Sequence, residues 1–211
     1  MPEAHLTENT LCHFDPDINT SAMKRKPDWK PIFGQIGAAQ THLKRRVKEG
    51  DLFLFFGTFR KTIKQNDTYK FETKEKFHAI YGYLQIGEII SLDNKTEIPE
   101  WMDYHPHAHQ KRLEDKNNTI YVARDKLTWD SDMLGAGVLS FTDKLVLTKK
   151  GCSKSRWNLP LFFKDVEISY HPCPKKSWKD DYFQSAAIGQ EFVIDDNENI
   201  KEWAKDKIKN G

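Results

Sequence analysis

Two stretches decide the fold: Gly50-Asp51-Leu52-Phe53-Leu54-Phe55-Phe56-Gly57-Thr58-Phe59-Arg60 and Phe77-His78-Ala79-Ile80-Tyr81-Gly82-Tyr83-Leu84-Gln85-Ile86-Gly87-Glu88. Side chains alternate between faces along a strand. The first stretch therefore sends Leu52, Leu54 and Phe56 to one face and Phe53 and Phe55 to the other. A strand apolar on both faces must be covered on both. The second stretch is expected to place His78, Ile80, Leu84 and Ile86 on one side. Tyr81, Tyr83 and Gln85 then fall on the other, an aromatic and amide surface suited to a flat polar ring.

Working outward, Ala39, Leu43 and Val47 recur at helical spacing, which predicts a helix over 37–49 stopped by Gly50. Residues 61–76 are polar and charged, with a turn at Asn66-Asp67, and read as a loop or exposed hairpin. Further strands are expected at 119–123, with a hairpin of 138–141 against 144–147 turning at Thr142-Asp143. Ile200, Trp203, Ala204 and Ile208 share one face of a terminal helix, with Asp196 or Asn197 as cap. Residues 1–28 form an irregular N-terminal segment with Asp15-Pro16-Asp17 inside it, and 29–211 a single domain. The pattern specifies an α+β fold: a curved sheet or small β-barrel, a helix before the first core strand and a helix at the C-terminus. Helix, Gly-Asp, apolar strand and glycine-broken strand in that order resemble the PUA/ASCH/EVE class of barrels.

The chain has 211 residues, of which 30% are charged, and a net charge of +2. No apolar run approaches the roughly 20 residues that span a bilayer, and the N-terminus lacks a secretory pattern. Three scattered cysteines, Cys12, Cys152 and Cys173, favour reduced thiols and a cytoplasmic setting with no membrane partner. Basic residues cluster at 44–48, 60–64 and 149–156. If these runs converge they form a phosphate-binding face; otherwise they are solvated surface.

No Walker loop, GxGxxG, GxSxG or HExxH is present. His171-Pro172-Cys173 lacks the CxxC of a zinc deaminase. The residues able to carry chemistry are more dispersed. His105 and His107, two apart in a presumed extended segment, share a face and suit proton transfer near neutral pH. They also suit a metal, with His109 extending the row and Asp15, Asp17 or His13 able to supply a further ligand from elsewhere in the fold, but the sequence fixes no third ligand, so no metal site is assigned and the cofactor stays open. Glu191 is the candidate general base. Gln35 and Gln40 flank a glycine-rich helix start, where free amides suit an anion. Arg60, at a strand end, suits phosphate. Gln85 and Gln190 could read a base edge, and Tyr83 and Trp157 could stack a base. Each has a plain structural alternative: core packing, an ion pair or a strand edge.

Several blocks together carry a family likeness. They are Trp29-Lys30-Pro31 through Phe33-Gly34-Gln35, Ala38-Ala39-Gln40 with His42-Leu43, and Gly50 to Gly57 with Phe59-Arg60. Gly82 to Glu88, His105-Pro106-His107, Trp157-Asn158-Leu159-Pro160 and Gly189-Gln190-Glu191-Phe192-Val193 complete them. In order and spacing they resemble nucleotide modification associated domain 3 proteins, from about Asp15 to the C-terminal helix. The resemblance implies a bacterial or phage protein linked to DNA base hypermodification, with DNA or a nucleotide as partner. Relatives in that family carry a further N-terminal strand segment with a Ser-Arg-Lys-Gly-like run. The chain starts close to His13-Phe14-Asp15-Pro16-Asp17, which implies a partial or inactive version if that segment builds the active site. Two other readings stand beside the enzyme: a non-catalytic, PUA-like reader of modified or flipped bases, and an interaction module of a phage or defence system. Oligomeric state is not specified.

Overall fold

A computed structural model describes residues 14–65, 68–171, 174–186 and 191–211. Its centre is a strongly curled antiparallel sheet built from β1 (Ile32–Gln35), β2 (Leu52–Phe59), β5 (Phe77–Ser91), β6 (Thr119–Ala123) and β9 (Ala136–Val138). Helix α1 (Gly37–Lys44) joins β1 to β2. Strands β3 (Thr62–Gln65) and β4 (Thr68–Phe71) form a separate hairpin between β2 and β5. A short helix α2 (Gln110–Leu113) precedes β6, and β7 (Lys126–Leu127) with β8 (Asp130–Leu134) makes a second small hairpin. The strand order is β1-β6-β5-β2, with β9 on the β6 side of β5. The expected α+β architecture with a curved sheet holds.

β5 organises the molecule because it is fifteen residues long and pairs with three strands. It is not regular. Phe55 pairs with Gly82 but Phe56 pairs with Ile80, so Tyr81 is an extra residue on β5. Such a bulge bends the strand and reverses the facing of everything beyond it. This corrects the expected face assignment. Ile80 and Tyr83 now lie in one cluster with Leu145, Trp157, Phe163 and Ile208, whereas Leu84 and Ile86 lie in another with Ile18, Phe55 and Tyr121. A second irregularity at Gly87 sharpens the curl between Ile86 and Glu88. A Cβ there would stand 2.9 Å from the Arg124 nitrogen, so the close strand approach requires glycine.

The concave face holds an aromatic packing of Phe33, Phe53, Phe55 and Tyr121, with ring centroids 5.0–6.0 Å apart. The segment before β1 lies along the sheet edge, where Asp17 and Ile32 exchange backbone hydrogen bonds of 2.8 and 3.0 Å. Its Ile18 is 2% exposed and packs onto Gly82 of β5, helping to close the curl. The convex face is covered by the loops after β9 and by the C-terminal helix Glu198–Lys209. Asn197 caps that helix through its side chain on the Ile200 N–H, and Trp203 meets the Phe163 ring edge-on at 5.0 Å. Each fully buried aliphatic residue such as Ile208 contributes about 1.5–3 kcal/mol.

Two further expectations are corrected. The helix after β1 ends at Lys44, and the chain continues as a turn that still buries part of Val47 in the core. The hairpin of 138–141 against 144–147 does not form. Leu139 instead donates to the Tyr81 carbonyl and Leu147 to the His78 carbonyl, both at 2.9 Å. The long β5 edge offers better-aligned acceptors than a short isolated pair.

Candidate functional site

At the end of β1, polar groups from three distant parts of the chain meet. Asp15 lies beside Gly34, whose N–H donates to Asp15 Oδ1 at 2.8 Å. His107 Nε2 is 3.2 Å from Asp15 Oδ2, and His105 Nε2 is 3.8 Å from Asp15 Oδ1. The two imidazoles are 0–1% exposed and the Asp15 carboxylate 9%. A buried carboxylate among buried imidazoles is an arrangement in which a proton can be held and passed on.

The histidines reach this position by a turn, not by an extended strand as the sequence pattern suggests. Residues Pro106–Ala108 form one 3₁₀ turn, and the His105 side chain accepts from the His107 N–H at 3.3 Å. The rings remain side by side, 5.6 Å between centroids. His107 is held tightly. Asn118 donates from Nδ2 to the His107 carbonyl at 2.9 Å, so its Oδ1 faces the ring and accepts from Nδ1–H at 2.6 Å. The singly protonated ring then presents the Nε2 lone pair, which accepts from Arg112 Nη1 at 2.7 Å. A second proton on Nε2 would be held by Asp15 Oδ2. Gly34 makes room for the ring, because a Cβ there would stand 2.3 Å from His107 Cδ2.

The aromatic interior reaches the same place. Burial and the nearby Asp15 carboxylate push the Tyr81 hydroxyl up to about 12. It is therefore a neutral donor at any ordinary pH.

Gln35 follows Gly34 and opens a second group. Its Nε2 donates to Glu191 Oε1 at 2.7 Å, and its Oε1 accepts from the Ile36 N–H at 3.0 Å. His42 on α1 lies near enough to feel the Glu191 charge and makes a 2.9 Å contact to Ser169 Oγ. Desolvation, then the Arg46 charge, lower the His42 pKa, while Glu191 opposes them. Ser169 Oγ also accepts from the Val193 N–H at 2.7 Å, and the Tyr170 ring lies 4.3 Å from the His42 ring, with Tyr170 at φ +63.

The structure thus brings His105 and His107 together around Asp15, and Gln35 together with Glu191. Gln40 lies on the buried face of α1, where its Oε1 accepts from the Tyr121 hydroxyl at 2.9 Å. Arg60 stands at the foot of the β3–β4 hairpin with its guanidinium 3.9 Å over the Phe71 ring. The remaining candidates belong to the convex packing. The Gln85 amide bonds to Gly50 O, Thr128 Oγ1 and Thr128 N at 2.8–2.9 Å. Tyr83 is 5% exposed and donates to the Leu134 carbonyl. Trp157 is 6% exposed and donates to His78 Nδ1 at 3.0 Å. Gln190 lies outside the described residues.

Asp15 was named from sequence only as one of three residues able to join the histidines at a metal, and Arg112, Asn118, His42 and Ser169 were not named at all. Among the described residues, no set of three or more His, Cys, Asp or Glu is placed to hold a metal ion. No described helix is long and apolar enough to cross a membrane.

No match to a curated protein or to a solved structure was found. The family model of nucleotide modification associated domain 3 matches residues 1–195, a span that contains the sheet and both polar groups at the end of β1. The chain belongs to the nucleotide modification associated domain 3 family, and through it is associated with nucleotide modification.

Proposed function

We propose that this chain acts on a nucleotide or nucleobase of DNA at the Asp15–His107 cluster, as an enzyme of base hypermodification. The observation that carries this reading is the pairing of a buried carboxylate with a buried imidazole whose tautomer Asn118 fixes. In this reading His107 Nε2 accepts a proton from the substrate, and Asp15 Oδ2 then holds the resulting imidazolium. Arg112, bound to the same Nε2, shifts to a substrate phosphate as that proton arrives. Gln35, the next residue of β1 after Gly34, and the Glu191 it binds hold the substrate's polar edge.

The test is mass spectrometry of nucleosides from DNA of cells carrying the intact gene, the Asp15→Asn gene or neither. Asn keeps an acceptor for the Gly34 N–H but removes the charge. A new nucleoside with the intact gene, lost with Asp15→Asn, is expected. Identical nucleosides in all three overturn the enzyme. Retained binding to modified oligonucleotides would then assign the chain to the readers.

A further inference from the structure

Among the described residues, the β3–β4 hairpin forms a two-stranded sheet of its own. Its register sets Thr62 opposite Phe71 and Lys64 opposite Tyr69, so these four share one face. On that face Tyr69 is 73% exposed and Phe71 46%, and the Arg60 guanidinium lies over the Phe71 ring. Ile63, on the other face, is 47% exposed. A separate two-stranded ribbon with a ring as exposed as that of Tyr69 is a liability unless something covers it.

The charge around it indicates what that is. Residues 59–76 and 149–156 together hold ten basic and three acidic side chains, a net of +7 in a chain whose whole net charge is +2. The two segments adjoin. Lys154 Nζ lies 3.5 Å from Thr58 Oγ1, and a nearby cavity of about 350 Å³ is lined by Lys74, Glu75 and Lys76 from one segment and by Gly151, Cys152, Ser153 and Lys154 from the other, three lysines against one glutamate. The 149–156 run therefore lies against the end of β2 and the segment after β4. Polyanion is the complementary partner. A duplex hides the faces of its bases, whereas an unstacked strand offers them to aromatic rings. A membrane wedge would carry apolar residues at the turn, but the residues joining the strands are Asn66 and Asp67.

We propose that this hairpin and the 149–154 loop bind a single-stranded stretch of DNA. A base stacks on Tyr69, and phosphates run along Lys74, Lys76 and Lys154. The proposal deepens the function proposed above, and rests on it for the class of partner.

Fluorescence anisotropy of the full chain with a labelled oligothymidine of about 20 nucleotides, and with a duplex of equal length, tests it at about 50 and 200 mM salt. The single strand should bind more tightly than the duplex. Tyr69→Ala should weaken it about 5- to 100-fold, with Tyr69→Phe within about twofold of the parent. Lys74→Ala with Lys76→Ala should lower the salt slope by about 1–2. Circular dichroism confirms that these surface variants fold. Single-strand binding unaffected by Tyr69→Ala, preference for the duplex, or binding to phosphatidylserine vesicles but not to the oligonucleotide would each overturn the proposal. Nucleoside composition reads chemistry and anisotropy reads this surface, so each can fail alone.

Discussion

Asp15 and Asp17 are two residues apart in the segment along β1, yet their surroundings differ in kind. Asp17 is clasped by a permanent cation. Arg25 approaches it through both nitrogens at 2.7 and 2.6 Å, the Tyr104 hydroxyl donates to the same carboxylate, and Trp29 Nε1 donates to Tyr104 at 2.7 Å. The Arg25 guanidinium also lies 4.0 Å over the Trp29 ring. The carboxylate has no exposure, and its lone pairs are occupied by groups that never lose a proton. Asp15 instead faces two imidazoles and a backbone N–H. Its neighbours are bases that can gain and release protons. One aspartate is thus held by a permanent cation, and the other by two imidazoles and a backbone N–H. The difference lies in the partners, not in the residue.

The largest expected effect tests the anchor. Asp17→Ala strands the nearly buried Arg25 guanidinium and should lower stability by about 3–5 kcal/mol in urea unfolding. A loss under about 1 kcal/mol would show that the clasp adds little. Gly34→Ala probes the other side, since its methyl group must displace the His107 ring. A loss of about 1–3 kcal/mol is expected from overpacking. Combining it with His107→Ala should cost less than the sum of the two single changes, because the clash is then gone.

A pH titration separates the cluster from the histidine on the convex face. Burial, then Lys154, depress the His78 pKa to about 4, and its Nδ1 accepts from Trp157. The folded state binds this proton less readily than the unfolded chain does. The His78 contribution is therefore complete above the ordinary histidine value of 6.5 and is lost as pH falls toward 4. His171 and His42, also lowered, act in the same sense. In urea midpoints measured across this window, His78→Gln should flatten the slope. An unchanged slope would contradict the assigned neutral histidine.

The smallest expected change in stability is the sharpest test of the comparison. Asp15→Asn keeps the Gly34 hydrogen bond and should shift stability by less than about 1 kcal/mol. On the proposed function, nucleoside modification is lost with it. A stability loss as large as that of Asp17→Ala would make both aspartates anchors.

Much of this was legible in the chain. The apolar run Leu52 to Phe56, the helix before it, the strand at 119–123 and the Asn197-capped terminal helix follow from local spacing and capping. The facing of β5 was not legible, because the extra residue at Tyr81 is set by register against β2 and has no signature of its own. For the same reason Tyr83 and Gln85, read as lining a pocket, pack on the convex side. The histidine pair was legible as a pair, with Asp15 only one of several partners offered for it. Asn118 follows His107 by eleven residues, but Asp15 precedes the pair by about 90, and only the curl of the sheet brings the edge segment back to it.

By itself the sequence determined the α+β class, the aromatic strands, the paired histidines, the basic runs and the family likeness. These depend on neighbours along the chain, where periodicity and residue chemistry are decided. The tertiary structure decided which face each side chain takes, which aspartate is held by a cation and which by imidazoles, and which segment the 149–156 run lies against. Those outcomes depend on one bulge and on long-range closure of the sheet, whose energetics are shared among segments that no local window contains.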